Sequence, residues 1–210
     1  MRRMGQVSLA GLLVFVAAVL TLHAAQPELS PRDEAVSYYV YGRLGALMTA
    51  GLAALGVASL AIVAGLACIA PAARVGRWLL GVWAVGVLAG ALFRADLPGR
   101  WSEPPSLAGI IHGNAAIAAF VALPIAAFKL SRALRQQAQW RPDARLLTGL
   151  AVAAAVSLAL FTASLVPVFV RPGPPILLGA SERLLLACYV AWLAAVGVGL
   201  LNHDPRPASG

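Results

Sequence analysis

Residues 44–70 read LGALMTAGLAALGVASLAIVAGLACIA, a run without one charged side chain. A hydrocarbon core of about 30 Å is crossed by roughly 20 residues of helix, so this run is long enough to span a bilayer. Five more apolar runs flank it, and the spans read 7–25, 44–70, 78–93, 107–128, 146–169 and 184–201. The third is short and needs its flanks, or local thinning, to cross. In lipid each span can satisfy its own backbone only as a helix, because the alternation of a β-barrel is absent. The expected fold is all-α: a single integral membrane six-helix bundle over 1–210.

Composition agrees. Of 210 residues, 60% are apolar and 11% charged, whereas soluble domains carry about a quarter charged residues. Such a chain has too much apolar surface for a water-soluble interior, and its two cysteines exclude a disulfide scaffold. A net charge of +8 would suggest nucleic acid in a soluble protein. Here its distribution decides otherwise. With both termini inside, the inner segments hold Arg2, Arg3, Arg74, Arg77, Lys129, Arg132, Arg135, Arg141, Arg145 and Arg206 against Asp143 and Asp204. The outer segments hold Arg32, Arg43, Arg94, Arg100, Arg171 and Arg183 against Glu28, Asp33, Glu34, Asp96, Glu103 and Glu182. All of the excess falls on one side, as the positive-inside rule requires, so both termini are expected to be cytoplasmic in a cell (inner) membrane. Membrane lipids are the expected partners, with a hydrophobic small molecule as possible substrate and no nucleic acid. The basic connector 129–145 suits anionic headgroups.

The first span is expected to stay uncleaved, since Leu22-His23-Ala24-Ala25-Gln26 makes a poor cleavage site. Cys68 and Cys188 fall near opposite ends of their spans, beyond disulfide reach. Metal-ligand spacings, a phosphate-binding loop and a dinucleotide fingerprint do not occur, so no metal or cofactor is expected. Fifteen arginines to one lysine, with abundant alanine, suggest a high-GC genome such as an actinobacterial one.

The outer loops hold the polar residues of interest. Ser30 can cap a helix with Pro31 first and Asp33 third, so a short interfacial helix over about 31–41 is expected. It would set Glu34, Tyr38 and Tyr41 on one face; the plain alternative is a loop anchor. Ser106 should cap the fourth span, placing His112 about 9 Å into it. An ionisable group at that depth is a functional candidate, although it could simply bond a neighbouring helix. Gly109 and Gly113 form a small-xxx-small pair, continued by Ala115, Ala116 and Ala119, that lets another helix approach. Pro172-Gly173-Pro174-Pro175 forbids regular structure, and Ser181 should cap the last span beside Glu182, which could be no more than a helix-terminal charge.

Three stretches carry a family resemblance: Ser30-Pro31-Arg32-Asp33 through Ser37-Tyr38 and on to Gly42–Leu60; Phe93-x-x-Asp96-x-Pro98 followed by Gly109-x-x-His112; and Glu182-Arg183 opening the last helix, with Trp192 inside it. In this order and spacing the chain resembles the bacterial polytopic membrane family catalogued as domain of unknown function 998. The resemblance implies six membrane helices and no settled chemistry.

Two functions from different classes fit these residues. One is a membrane-embedded acid–base enzyme on a lipid or isoprenoid, of the protonation-initiated terpene cyclase or isomerase type. A carboxyl group taken out of water holds its proton for donation. Candidate catalytic residues are Asp96, His112, Glu182, Asp33 and Glu34. Tyr38, Tyr41, Phe93, Trp101, Tyr189 and Trp192 are expected at similar outer depth, where their π faces would steady a cation. The alternative is a non-catalytic lipid-binding, transport-accessory or partner-binding protein. Its outer acids would be neutralised by Arg43, Arg94, Arg100 and Arg183. A transporter fits less well, because no inverted repeat is visible and the midplane is almost free of charge.

Overall fold

The computed structural model describes residues 1–97, 103–170 and 175–202. Among them are six long helices: α1 (Arg2–Ala25), α2 (Gly45–Ile69), α3 (Arg74–Leu92), α4 (Leu107–Arg135), α5 (Ala144–Val170) and α6 (Leu178–Asn202). Each is long and apolar enough to cross a membrane. Two 3-10 segments, Val36–Tyr41 and Ala138–Trp140, punctuate the loops. Helices adjacent in sequence pack together, and α1 also packs on α6, so the six close into a ring. The connections 70–73 and 136–143 are short, which makes α2 and α3, and α4 and α5, antiparallel neighbours. One end of the ring collects residues 26–44, 93–97, 103–106 and 175–177; it is called the acidic end below, and the opposite one the basic end.

The outside of the ring is as apolar as its inside. Leu13, Leu20, Val85, Leu92 and Ile117 are each more than 60% exposed, which suits helices whose solvent is lipid. With no hydrophobic drive between helices in lipid, close contact and polar links hold the bundle. Gly86 is one such contact: a Cβ there would lie 2.8 Å from both the Ala115 carbonyl oxygen and Ala119 Cβ, so α3 rests directly on α4. The expected small-residue seam therefore lies at Ala115 and Ala119. Gly109 and Gly113 do not take part. A side chain on Gly113 would meet nothing, and one on Gly109 would strike the Asp96 carboxylate.

The polar links join buried aromatic residues to hydroxyls and carbonyls. Trp83 Nε1–H donates to Ser59 Oγ (2.9 Å), Trp192 Nε1–H to Ser131 Oγ (3.1 Å), and Tyr189 O–H to the Phe120 carbonyl (2.6 Å). Replacing Ser59 by Ala leaves the buried Trp83 N–H unpaired. The expected cost is about 1–3 kcal/mol, read as a lower thermal midpoint in detergent; an unchanged midpoint would mean that this link is dispensable.

Two helix starts differ from expectation, for one reason. Residues 31–41 do not form one helix: a turn at 31–34 precedes the 3-10 segment. In an α-helix the Val36 N–H would bond the Arg32 carbonyl. Here α6 claims both groups. Arg32 C=O accepts from Ala180 N–H (2.9 Å), and Val36 N–H donates to Glu182 Oε2 (2.6 Å). The same contact satisfies a free N–H of α6, which starts at Leu178, a full turn ahead of its expected Ser181 cap. The Ser181 hydroxyl turns inward to the Leu178 carbonyl and Ser164. Gly179 makes the approach possible, since a Cβ there would come within 2.6 Å of the Pro31 carbonyl oxygen. The expected Ser30–Asp33 exchange is present on a smaller scale, with Asp33 N–H donating to Ser30 Oγ (3.3 Å) and the hydroxyl to the carboxylate (3.0 Å). The Ser106 cap is in place, its Oγ accepting from Gly109 N–H at 3.0 Å. Cys68 and Cys188 are both free. Trp101, the 172–174 segment and the 203–210 tail lie outside the described residues.

Candidate functional site

At the acidic end Arg183 ties three elements together. Its Nε–H donates to His23 Nε2 (2.7 Å) on α1, Nη1 to the Glu34 (2.7 Å) and Gly179 (2.9 Å) carbonyls, and Nη2 to the Tyr39 hydroxyl (3.1 Å). The guanidinium carbon also lies 5.6 Å from the Tyr39 ring centroid. A guanidinium only donates, so His23 Nε2 accepts; the ring is neutral, with its Nδ1 proton on the Val19 carbonyl (2.8 Å). Arg183, expected to neutralise an outer acid, thus spends its donors on uncharged acceptors. An ion pair does join Arg32 to Asp33 (3.7 Å), but both side chains are well exposed and the pair adds little.

Beneath the 3-10 segment lies a chamber of about 220 Å³ inside the ring. Its walls are apolar and partly aromatic: Leu52 and Leu55 from α2, Trp83 and Val87 from α3, Phe120 from α4, Phe161 from α5 and Leu186 from α6. Val36 and Tyr38 form its roof-side lining. Glu182 and His112, a carboxyl and an imidazole, are among the lining residues. Glu182 is 8% exposed, and its Oε2 accepts from the Val36 N–H. His112 Nδ1 lies 2.8 Å from the Phe93 carbonyl. A carbonyl can only accept, so Nδ1 carries a proton and Nε2 is the ring nitrogen left for other partners.

Next to the chamber is a polar cleft of about 660 Å³, lined by Tyr41, Asp96, Glu103, Ser106 and Gly109 among others. Tyr38, Ala95 and His112 line both spaces, so they form the shared rim. Tyr41 O–H donates to the Ala95 carbonyl (2.5 Å), fixing the 3-10 segment to this rim. With three residues per turn, Tyr38 and Tyr41 fall on one side. Burial, then the charges of Glu182, Glu34 and Asp96, push the Tyr38 hydroxyl up to about 12; it remains a proton-bearing donor at every physiological pH. Asp96 accepts at 3.2–3.3 Å from the backbone N–H of Ser106, the N-cap of α4, and so ties its loop to the start of the helix that carries His112.

The candidates from the sequence are therefore dispersed. Glu182, His112 and Tyr38 meet at the chamber; Asp96 and Tyr41 stand in the cleft. Asp33 is exposed beside Arg32. Glu34 contributes its carbonyl to Arg183, while its Oε2 is buried without a hydrogen-bond partner. Phe93 serves through its backbone carbonyl, not its ring. Tyr189 lies behind the wall, its ring 5.3 Å from Trp83 and 6.3 Å from Phe120. Trp192 is not at outer depth: it bonds Ser131, one turn from the basic end of α4. Trp83, Phe120 and Phe161 were not among the residues expected from the sequence. Their mid-span positions were the available signal, because interfacial belts do not call for aromatics there.

Residues 9–199 match the family model described as Protein of unknown function (DUF998). No curated protein and no solved structure matches the chain.

Proposed function

We propose that this chain, which belongs to the DUF998 family, is a membrane-embedded acid–base enzyme that isomerises or cyclises an apolar isoprenoid or lipid chain. One observation carries the reading: an apolar, aromatic-walled chamber that both Glu182 and His112 line. Glu182 would give its proton to a substrate double bond, whose π electrons form the new C–H bond and leave a cation on the neighbouring carbon. The faces of Trp83, Phe120 and Phe161 would steady that cation, and a second double bond could close a ring upon it. His112 Nε2 would then take a proton from the adjacent carbon and restore a double bond. The proton returns to Glu182 by way of the Tyr38 hydroxyl and the cleft. Atoms balance without oxidant, reductant or cofactor. In this reading the cleft faces outward from the cell membrane, as the one-sided +8 supports.

The Glu182–Val36 bond favours a second reading, a lipid- or partner-binding protein without turnover, because the bond gives the carboxylate a purely structural use. Single Asp96→Asn, His112→Ala and Glu182→Gln variants, assayed in membranes on a panel of polyprenyl and epoxidised prenyl substrates, separate the two. Loss in the Glu182 and His112 variants supports the enzyme. Wild-type turnover in all three would remove this site.

A further inference from the structure

The basic end holds a second built feature. Helix α4 has 29 residues, about 43 Å at 1.5 Å per residue, against a hydrocarbon core of about 30 Å. Its last turn, with Arg132 and Arg135, therefore lies at headgroup depth. The connector to α5 is held rigidly, because Trp140 is fully buried against α6. Gly199 leaves the space for it: a Cβ there would come within 3.1 Å of the indole Cε3 and closer to two other ring atoms. Arg141 follows this wedge directly, and Arg145 lies in the first turn of α5.

Arg135, Arg141 and Arg145 together line a groove of about 620 Å³ that continues over Thr148, Gly149 and Val152. The Thr148 hydroxyl is already spent on the Ala144 carbonyl (2.7 Å), so this continuation offers little polarity. It is also roomy, since a side chain on Gly149 would meet nothing within 4 Å. The neighbouring Asp143 does not line the groove. Three guanidinium forks at headgroup depth suit phosphate oxygens, and an apolar track running from them along α5 suits a chain attached to that phosphate. A free anion would leave the track unused.

We propose that this groove binds one anionic phospholipid, its phosphodiester held by Arg135, Arg141 and Arg145 and one acyl chain lying along Gly149 and Val152. The test is native mass spectrometry of the purified full chain, titrated in detergent with dioleoyl phosphatidylglycerol or dioleoyl phosphatidylcholine. One phosphatidylglycerol should be retained per chain in preference to phosphatidylcholine. The R135Q/R141Q/R145Q variant should weaken that retention by roughly a hundredfold. An R2Q/R3Q/R74Q variant, losing equal charge from exposed positions at the same end, should leave it unchanged. Equal loss in both triples would overturn the site in favour of a diffuse surface charge. Full retention in the groove triple, or displacement by millimolar inorganic phosphate, would overturn it too.

Discussion

Replacing Glu182 by Gln should abolish turnover while leaving the fold intact. The amide is the same shape as the carboxyl, and its oxygen can still accept from the Val36 N–H that Glu182 binds at 2.6 Å. The joint between α6 and the 3-10 segment is thereby kept, and the chamber with it. What disappears is the transferable proton, and removing a general acid lowers rate by about 10²–10⁴. Glu182→Ala differs in a useful way, because it also leaves the Val36 N–H unpaired, at about 1–3 kcal/mol. Melting curves for both variants separate the structural share from the chemical one. A Gln variant that melts and turns over like wild type would refute the role given to Glu182.

The second large effect is on stability. Arg183→Ala should lower stability by about 3–5 kcal/mol, because it leaves His23 Nε2, the Tyr39 hydroxyl and the Glu34 and Gly179 carbonyls without their shared donor. In a chain of 210 residues this is a fall in melting temperature on the order of 10 °C. The individual bonds do not simply add, since all four depend on one side chain. Arg183→Lys should recover little. An ammonium has three donors on a point and cannot span α1, the 3-10 segment and α6 at once. The loss should extend to the chamber roof, as Val36 and Tyr38 belong to the segment that Arg183 fixes. A wild-type melting temperature in the Ala variant would show that the packing of Val36 and Tyr39 alone holds the segment in place.

The six spans were legible because hydropathy reports the solvent, and lipid demands long uncharged runs wherever a chain crosses. Which side of each span turns inward was not legible. Lipid is as apolar as the bundle interior, so no amphipathic stripe separates Trp83, Phe120 and Phe161 from residues that face the bilayer. Trp192 was placed too high for the same reason. Its partner, Ser131, is remote in sequence and gave no sign of the pairing. His112 and Glu182 stand out individually, from the rarity of ionisable groups near a span, but their place on one lining depends on how α4 and α6 pack around the 3-10 segment. The 31–41 segment shows the limit of local signals. Ser30, Pro31 and Asp33 favour a helix start, yet α6 supplies better partners for the Arg32 carbonyl and the Val36 N–H. Asp96 stood out in sequence as an acid in an outer loop, but its bond to the Ser106 N–H joins residues ten apart across that loop, which no local pattern announces.

On the proposed function, the chamber beside Glu182 and His112 holds an apolar molecule. Ala116 lines it, and a cavity of about 150 Å³ is enough for one benzene, so a phenyl ring introduced there would fill much of the 220 Å³ available. Native mass spectrometry of wild-type protein extracted gently from its membrane, set against the Ala116→Phe variant extracted identically, is the direct measurement. One apolar ligand of defined mass should accompany the wild-type chain and be absent from the variant. Equal ligand occupancy in the two proteins, or none in either, would show that the chamber is not a binding site.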